Sequence, residues 1–346
     1  MTETGIYVLS TGTVLPGPAV DNATLAHYLN VPPLWQQWID TFIGTDSRHF
    51  SVDLDTGERL YTLADLGSEA AARALSAAGV HASDIDLIVM GTSSPDNLMP
   101  ATVNLVADRL GITAVPTYQL QSGCAGAVQA LDVARQMLRT GRHRTALVIG
   151  ADSCAKHMGL ATNLASASPA EQINGVLFGD GAGAAVLTTL RPDPSANAAV
   201  LYPVLVRFAG LNQPPGQIIE WFGKAELHSD QPAAVEDYKA IEALVPSMAV
   251  NTLRDLLDEL AWKEAEVDYI LPPQLSGRMT ARIMAEFGLP HAYEISCVKE
   301  TGNTGNALPF FLIEGVLPRM AEGDRAVAVA IESSKWIESA FAIEKV

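Results

Sequence analysis

The chain has 346 residues, of which 48% are hydrophobic and 18% charged, a balance that excludes a disordered or fibrous protein and suits a large α/β enzyme with two halves. Its 22 basic and 39 acidic residues leave a net charge of −17, which disfavours nucleic acid and anionic membranes as general partners. Three cysteines without C-x-x-C spacing argue against a disulfide framework and a zinc site, so no metal is expected, and no apolar run reaches the ~18–20 residues of a membrane span. The first residues show no basic-then-apolar leader, so a cytoplasmic protein is expected.

Strand and helix patterns alternate along the chain. Gly5 to Leu15 reads as a strand that ends at Pro16-Gly17-Pro18. Asp21 or Asn22 can cap a helix through Leu25 and Leu29, and Leu34 to Ile43 is amphipathic, with Trp35 and Trp38. Leu63 to Ala78 reads as an alanine-rich helix closed by Gly79. Asp86 to Gly91 is a buried strand, Thr102 to Leu110 a helix, and Val115 to Leu120 a short buried strand.

Next comes Leu120-Gln121-Ser122-Gly123-Cys124-Ala125-Gly126-Ala127, followed by a helix over Val128 to Leu138. Small residues leave room around the Cys124 sulfur. A helix N-terminus carries partial positive charge and free N–H groups, which favour a thiolate. A buried core thiol is the alternative, and Cys154 and Cys297 are read in that way.

A strand over Thr145 to Ala151 and a loop to about Glu171 lead to Phe178-Gly179-Asp180-Gly181-Ala182-Gly183-Ala184. The G-x-G-x-G spacing precedes a strand rather than a helix, so close backbone packing beneath the cysteine turn is favoured over dinucleotide binding. Arg191-Pro192-Asp193-Pro194-Ser195 marks a junction between halves at 1–190 and 191–346.

The second half repeats the order. Val200 to Phe208 is a strand, 210–232 an irregular insert, and Tyr238 to Leu260 a long helix. Asp268 to Leu271 is a strand, Ser276 to Phe287 a helix, and Asn303 to Met320 a helix interrupted by prolines. Arg325 to Glu332 and Ile337 to Ile343 are the last strands. Two similar halves suggest a duplicated α/β unit.

In this order, Trp38, Gly44 and Arg48-His49, then Ser122 to Gly126, Phe178 to Ala184, and Gly302-Asn303-Thr304 resemble the ketoacyl-acyl carrier protein synthase III family and its acyltransferase-like relatives. The resemblance covers nearly the whole chain. It implies a thiolase fold, with duplicated βαβαβαββ halves in a five-layered αβαβα sandwich. It also implies a Cys124 nucleophile that holds an acyl group, and Asn303 as one of two donors that stabilise an enolate.

Three departures accompany it. The family's Pro-His-Gln-Ala-Asn stands here as Pro272-Pro273-Gln274-Leu275-Ser276, so Pro273 replaces the second donor and the base partner of the cysteine. The family's glycine-rich turn stands as Glu332-Ser333-Ser334, which leaves an oxyanion hole made by the amides of Cys124 and Ser333. The tryptophan that holds coenzyme A is matched by Trp38, but Phe42 stands in its arginine partner's place, which favours a carrier-protein thioester at that entrance.

The resemblance places carrier docking at Arg278, with Arg282 one helical turn on, and a partner-lining acyl gate at Met99. It implies a homodimer, or a heteromer with another condensing enzyme, and no cofactor beyond the thioester substrate. His157 and His228 could reach the acyl tunnel, although each is read first as a surface histidine.

The resulting expectation is an acyltransferase. It would load an acyl group from a thioester, on a carrier protein or coenzyme A, onto Cys124. An amine, hydroxyl or thiol acceptor in specialised metabolism would then receive it. The alternatives are a carbon–carbon condensing enzyme and a weakly active subunit of a heteromeric complex.

Overall fold

The computed structural model describes residues 5–157, 169–194, 196–221 and 234–346. The first half begins with β1 (Tyr7–Val14), β2 (Val20–Asp21), α1 (Asn22–Tyr28), α2 (Pro33–Trp38), a π-turn (Ile39–Ile43) and β3 (Ser47–Arg48). It continues with α3 (Leu63–Ala78), β4 (Leu87–Thr92), α4 (Thr102–Leu110), β5 (Thr117–Gln121), α5 (Gly126–Arg139), β6 (Thr145–Asp152), α6 (Pro169–Leu177) and β7 (Gly181–Thr188). The second half holds β8 (Ala199–Leu201), β9 (Leu205–Phe208), β10 (Gln217–Ile219), β11 (Ala234–Glu236), α7 (Tyr238–Leu260), β12 (Tyr269–Leu271), α8 (Gly277–Phe287) and β13 (Tyr293–Glu294). It ends with α9 (Val298–Thr301), α10 (Leu308–Val316), β14 (Arg325–Glu332) and β15 (Ile337–Lys345).

One pairing scheme runs twice. In the first half β4 lies parallel to β5 and β6, β6 is antiparallel to β7, and β7 to β1. In the second, β12 lies parallel to β13 and β14, β14 is antiparallel to β15, and β15 to β9. The short β8 bonds to both β1 and β15 and joins the halves into one sheet.

The layers follow from the period-two alternation of strand side chains. Leu87 and Val89 of β4 face a central core with Ala127, Val128 and Leu131 of α5 and Phe310 and Ile313 of α10; Ala328 and Phe341 of the second half close the same core from the other side. Ile88 and Met90 face outward onto α3 and α4. In the second half, Ile270, Val327 and Val329 face α7 and α8. The five layers are helix, sheet, helix, sheet, helix, which is the thiolase fold.

Several elements differ from the sequence reading. β5 is an edge strand with half-exposed and exposed residues, not a buried one. The stretch read as one strand from Val200 divides into β8 and β9, and α6 occupies the end of a segment read as loop. The 210–232 insert carries β10, and part of it lies outside the described residues. α10 begins at Leu308, with Pro309 in its first turn where no N–H is missed; Asn303 lies on an irregular turn before it.

The glycine-rich strand also has another neighbour. A Cβ on Gly183 would lie 2.5 Å from Phe310 Cβ, and one on Gly179 2.6 Å from the Thr301 carbonyl oxygen, so these glycines admit the asparagine turn and α10. The glycine beneath the cysteine turn is Gly91, where a Cβ would meet the Gly126 backbone at 2.4 Å. Because backbone cannot step aside as a flexible side chain does, Gly91→Ala is expected to destabilise the fold by about 1–3 kcal/mol, read as a lower denaturant midpoint at unchanged slope.

Candidate active site

The duplication places two turns at equivalent positions, one before α5 and one before α10. On the first, Ser122 N donates to the Thr92 carbonyl at 3.2 Å, and Gly126 N closes the turn onto the Gly123 carbonyl at 2.8 Å. On the second, Asn303 N donates to the Leu177 carbonyl at 2.8 Å, and Gly179 N donates to the Asn303 carbonyl at 3.1 Å. Asn306 joins the turns: its Nδ2 donates to the Ser122 carbonyl at 3.1 Å and to Asp152 Oδ2 at 2.7 Å.

Between the turns lies a cavity of about 50 Å³, and Cys124, Asn303, Pro273 and Ser333 all line it. Asn303 Oδ1 accepts from Gly305 N at 3.0 Å, so its amide is fixed with Nδ2 as the free donor end. Pro273 presents only a ring. Its carbonyl accepts from Thr280 Oγ1 at 2.8 Å, and the neighbouring Gln274 Oε1 accepts from Ser296 Oγ and from the backbone N–H groups of Cys297 and Val298. The rest of the wall is aliphatic, with Val128, Leu312 and Ile331.

The local electrostatics correct the expectation of a lowered thiol pKa. Burial first, then the charges of Glu332, Asp152 and Glu236, push Cys124 up to about 12. The favourable helix N-terminus is outweighed. Glu332 was read only as part of the turn that replaces the glycines, not as a charge beside the thiol. It is 3% exposed, and its Oε2 accepts from Ser122 Oγ at 2.6 Å, while Oε1 accepts from Ser334 Oγ. An acid that closes an otherwise apolar strand was the available signal.

A second cavity, of about 30 Å³, is lined by Cys154, His157, Asn174, Gln217, Glu236 and Phe178, with Ser93 and Ser94 at its edge. Phe178, in its wall, pairs with Asn303 of the first cavity in a backbone bridge. Burial raises Glu236 to about 7, opposed by hydrogen bonds from Tyr238 and Gln217. Burial and the charge of Lys156 lower His157 to about 4; its ring lies edge-on to Trp221, and its buried Nε2 has no hydrogen-bond partner among the described residues. Cys154, read as filler, faces this cavity. His228 lies outside the described residues.

The remaining candidates lie at the surface. The rings of Trp38 and Phe42 are 6.4 Å apart, and Phe42 is 64% exposed. Gly44, in the left-handed region at φ +71°, lets the π-turn abut the start of α8, where Arg278 is exposed. Arg282 is held by Glu286 at 3.2 Å and Glu242 at 3.9 Å, so it is a paired surface arginine and Arg278 is the freer charge. Met99 is 87% exposed beside the equally apolar Leu98. Arg48 is fully buried and donates to the Val176 and Val20 carbonyls, which makes it a structural tie. No helix among the described residues is long and apolar enough to cross a membrane.

Comparison with known proteins agrees with this arrangement. Residues 118–201, which contain the cysteine turn, match the family model for 3-oxoacyl-[acyl-carrier-protein (ACP)] synthase III. The beta-ketoacyl-[acyl-carrier-protein] synthase III of Neisseria meningitidis serogroup A is 30% identical over 314 residues, 89% of each chain. The chain belongs to the synthase III family. The enzyme of the same name from Clostridium perfringens is 28% identical over 325 residues, 92% of this chain and 93% of its own.

Among solved structures, AbyA1, a tetronic acid condensing enzyme, is 55% identical with a TM-score of 0.94, over 98% of this chain and 99% of its own. The synthase III from Pseudomonas aeruginosa shares the fold at a TM-score of 0.82 and 24% identity, over 98% of both chains. In this synthase III member Cys124, Asn303 and Pro273 line one cavity.

Removal of one charge beside Cys124 tests these electrostatics. Glu332→Gln retains an acceptor for Ser122 and is expected to lower the Cys124 pKa. Alkylation of Cys124 by iodoacetamide at pH 8 should then accelerate roughly threefold to tenfold, a shift of about half to one pK unit.

Proposed function

We propose that the protein loads a 3-oxoacyl group from a carrier-protein thioester onto Cys124 and transfers it to the hydroxyl of a 2-hydroxyacyl thioester, with ring closure to a tetronic acid in specialised metabolism. The observation that carries this reading is the cavity in which Cys124 and Asn303 face a proline. The similarity to a tetronic acid condensing enzyme supports it.

Tetronic acid is a lactone whose ring joins a 1,3-dicarbonyl unit to a 2-hydroxyacyl unit through one C–O and one C–C bond. The acceptor oxygen attacks the acyl carbon, and the bond to Cys124 Sγ breaks. The carbon between the two carbonyls then attacks the hydroxyacyl thioester, and the carrier thiol leaves. A malonyl unit must lose carbon dioxide to form its enolate, which is where two preorganised donors are used. A carbon flanked by two carbonyls is acidic already. One donor, Asn303 Nδ2, is then sufficient, and Pro273 costs little. The amides of Cys124 and Ser333 supply the hole for the tetrahedral oxyanion.

The partners follow from the same surface. Arg278, beside Trp38 and Phe42, offers a basic and apolar entrance to an acidic carrier on a protein whose own net charge is −17. A second copy covers Leu98 and Met99, so that Met99 closes the partner's acyl pocket.

Intact-mass measurement with a 3-oxoacyl carrier should show a gain on the wild type and none on Cys124→Ala. The 2-hydroxyacyl carrier should discharge it, and Asn303→Ala should slow product formation by about 10²–10³. A gain that survives Cys124→Ala, or discharge by a malonyl carrier with release of carbon dioxide, would overturn the reading.

A further inference from the structure

The turn over residues 333–336, between β14 and β15, is tied down on two sides. On one, the Ser333 carbonyl accepts from Gly216 N at 3.0 Å, and the buried indole of Trp336 donates from Nε1 to the Pro214 carbonyl at 2.7 Å. On the other stands Glu332, the last residue of β14, whose backbone is held in register with Ile337 of β15. Its Oε1 accepts from Ser334 Oγ, one residue after Ser333, and its Oε2 accepts from Ser122 Oγ at 2.6 Å, two residues before Cys124. A Cβ on Gly123 would lie 3.1 Å from Glu332 Cδ, so the carboxyl group rests directly against the residue that precedes Cys124.

This carboxyl group therefore joins the two turns whose amides face the substrate in the acyl-transfer reading. Cys124 and Ser333 line the same cavity, and no turn hydrogen bond among the described residues uses the N–H of either. Ile331 and Ser333 line that cavity while Glu332, between them, does not, so Glu332 acts through the turns and not on the substrate. A carboxylate only accepts, and it has two oxygens, so a single side chain can draw both serine hydroxyls to itself at once.

We propose that Glu332 is a positioning residue for acyl transfer: by bonding Ser122 and Ser334 together it holds the Cys124 and Ser333 amides on one acyl oxygen. The proposal rests on the acyl-transfer reading. In loading, Cys124 Sγ bonds to the acyl carbon, the bond to the donor sulfur breaks, and the donor leaves as a thiol with the proton from Cys124. In discharge, the acceptor oxygen bonds to the same carbon, the bond to Sγ breaks, and the hydroxyl proton ends on the sulfur. Both steps pass through a tetrahedral carbon with negative charge on the same oxygen, so both depend on how well the two amides converge.

The experiment measures loading of Cys124 by a 3-oxobutyryl pantetheine thioester and its discharge by a lactyl pantetheine thioester, both by intact mass. Glu332→Ala leaves the amides present but loosely placed, so the maximal rates of both steps should fall about tenfold to hundredfold. The half-saturating donor concentration should change by less than about twofold, because the hole is used in the transition state. Glu332→Gln, which can still bond both hydroxyls, should recover most of the lost rate. Adding Glu332→Ala to a Ser122→Ala, Ser334→Ala double variant should slow the steps by less than about twofold more, since the tie is already gone. Alkylation by iodoacetamide forms no oxyanion, and Glu332→Ala should alkylate at least as fast as the wild type. Amide hydrogen exchange should quicken in both turns together in Glu332→Ala.

Maximal rates in Glu332→Ala equal to those of the wild type would overturn the proposal, as would a loss confined to the half-saturating concentration. So would alkylation slowed as much as acyl transfer, since Glu332 would then only keep the cysteine turn folded. A wild type that never loads, while exchange in both turns quickens in Glu332→Ala, would sink the acyl-transfer reading and leave Glu332 as the tie between the turns.

Discussion

Everything at the centre of this molecule depends on a buried carboxylate, Asp152, that ties the two halves together. Its Oδ1 accepts from Ser93 N, Ser93 Oγ and Ser94 Oγ at 2.7–2.8 Å, and its Oδ2 from the backbone and side chain of Asn306 at 2.8 and 2.7 Å. Asn306 in turn holds the Ser122 carbonyl. One acid thus fixes the end of β4, the cysteine turn and the asparagine turn. Such a group is tolerable in an apolar core because so many donors answer it. The spacing of the Cys124 and Asn303 turns is set by hydrogen bonds rather than by the softer packing of side chains.

Much of this was legible in the chain because the signals are local. Thr62 and Gly79 bound α3 as a capping box and a left-handed cap, and Tyr238 to Leu260 forms one helix over the predicted span. The cysteine turn, the asparagine turn and the Pro272-Pro273 stretch were visible as motifs, and the fold brings all three to one cavity. What escaped depends on pairs of residues distant in sequence. Glu332 matters because Ser122 lies above it, 210 positions away, and Glu236 because Gln217 and Tyr238 enclose it. The glycine-rich strand was correctly read as a close-packing device but assigned to the wrong turn, since one sequence does not say which backbone approaches it.

The electrostatic character of the site follows from the same long-range pairs. A cysteine at a helix start invites the inference of a reactive thiolate, and here three acids and burial reverse it. The acids are concentrated where they discourage free thiolate and suit bonds already formed to sulfur. Cys124 is therefore a guarded thiol, held protonated by burial and three acids.

The short strand β8 gives the architecture a consequence of its own. Its residues hydrogen-bond to β1 on one side and β15 on the other, so the two halves share one continuous ladder. Partial opening that freed one half would have to break that ladder and expose apolar edges on both sides. The halves are thereby coupled into one cooperative unit, and subglobal unfolding is pushed toward the free-energy cost of losing the whole domain. A cavity divided between the two halves is protected from the motion that would most readily pull it apart.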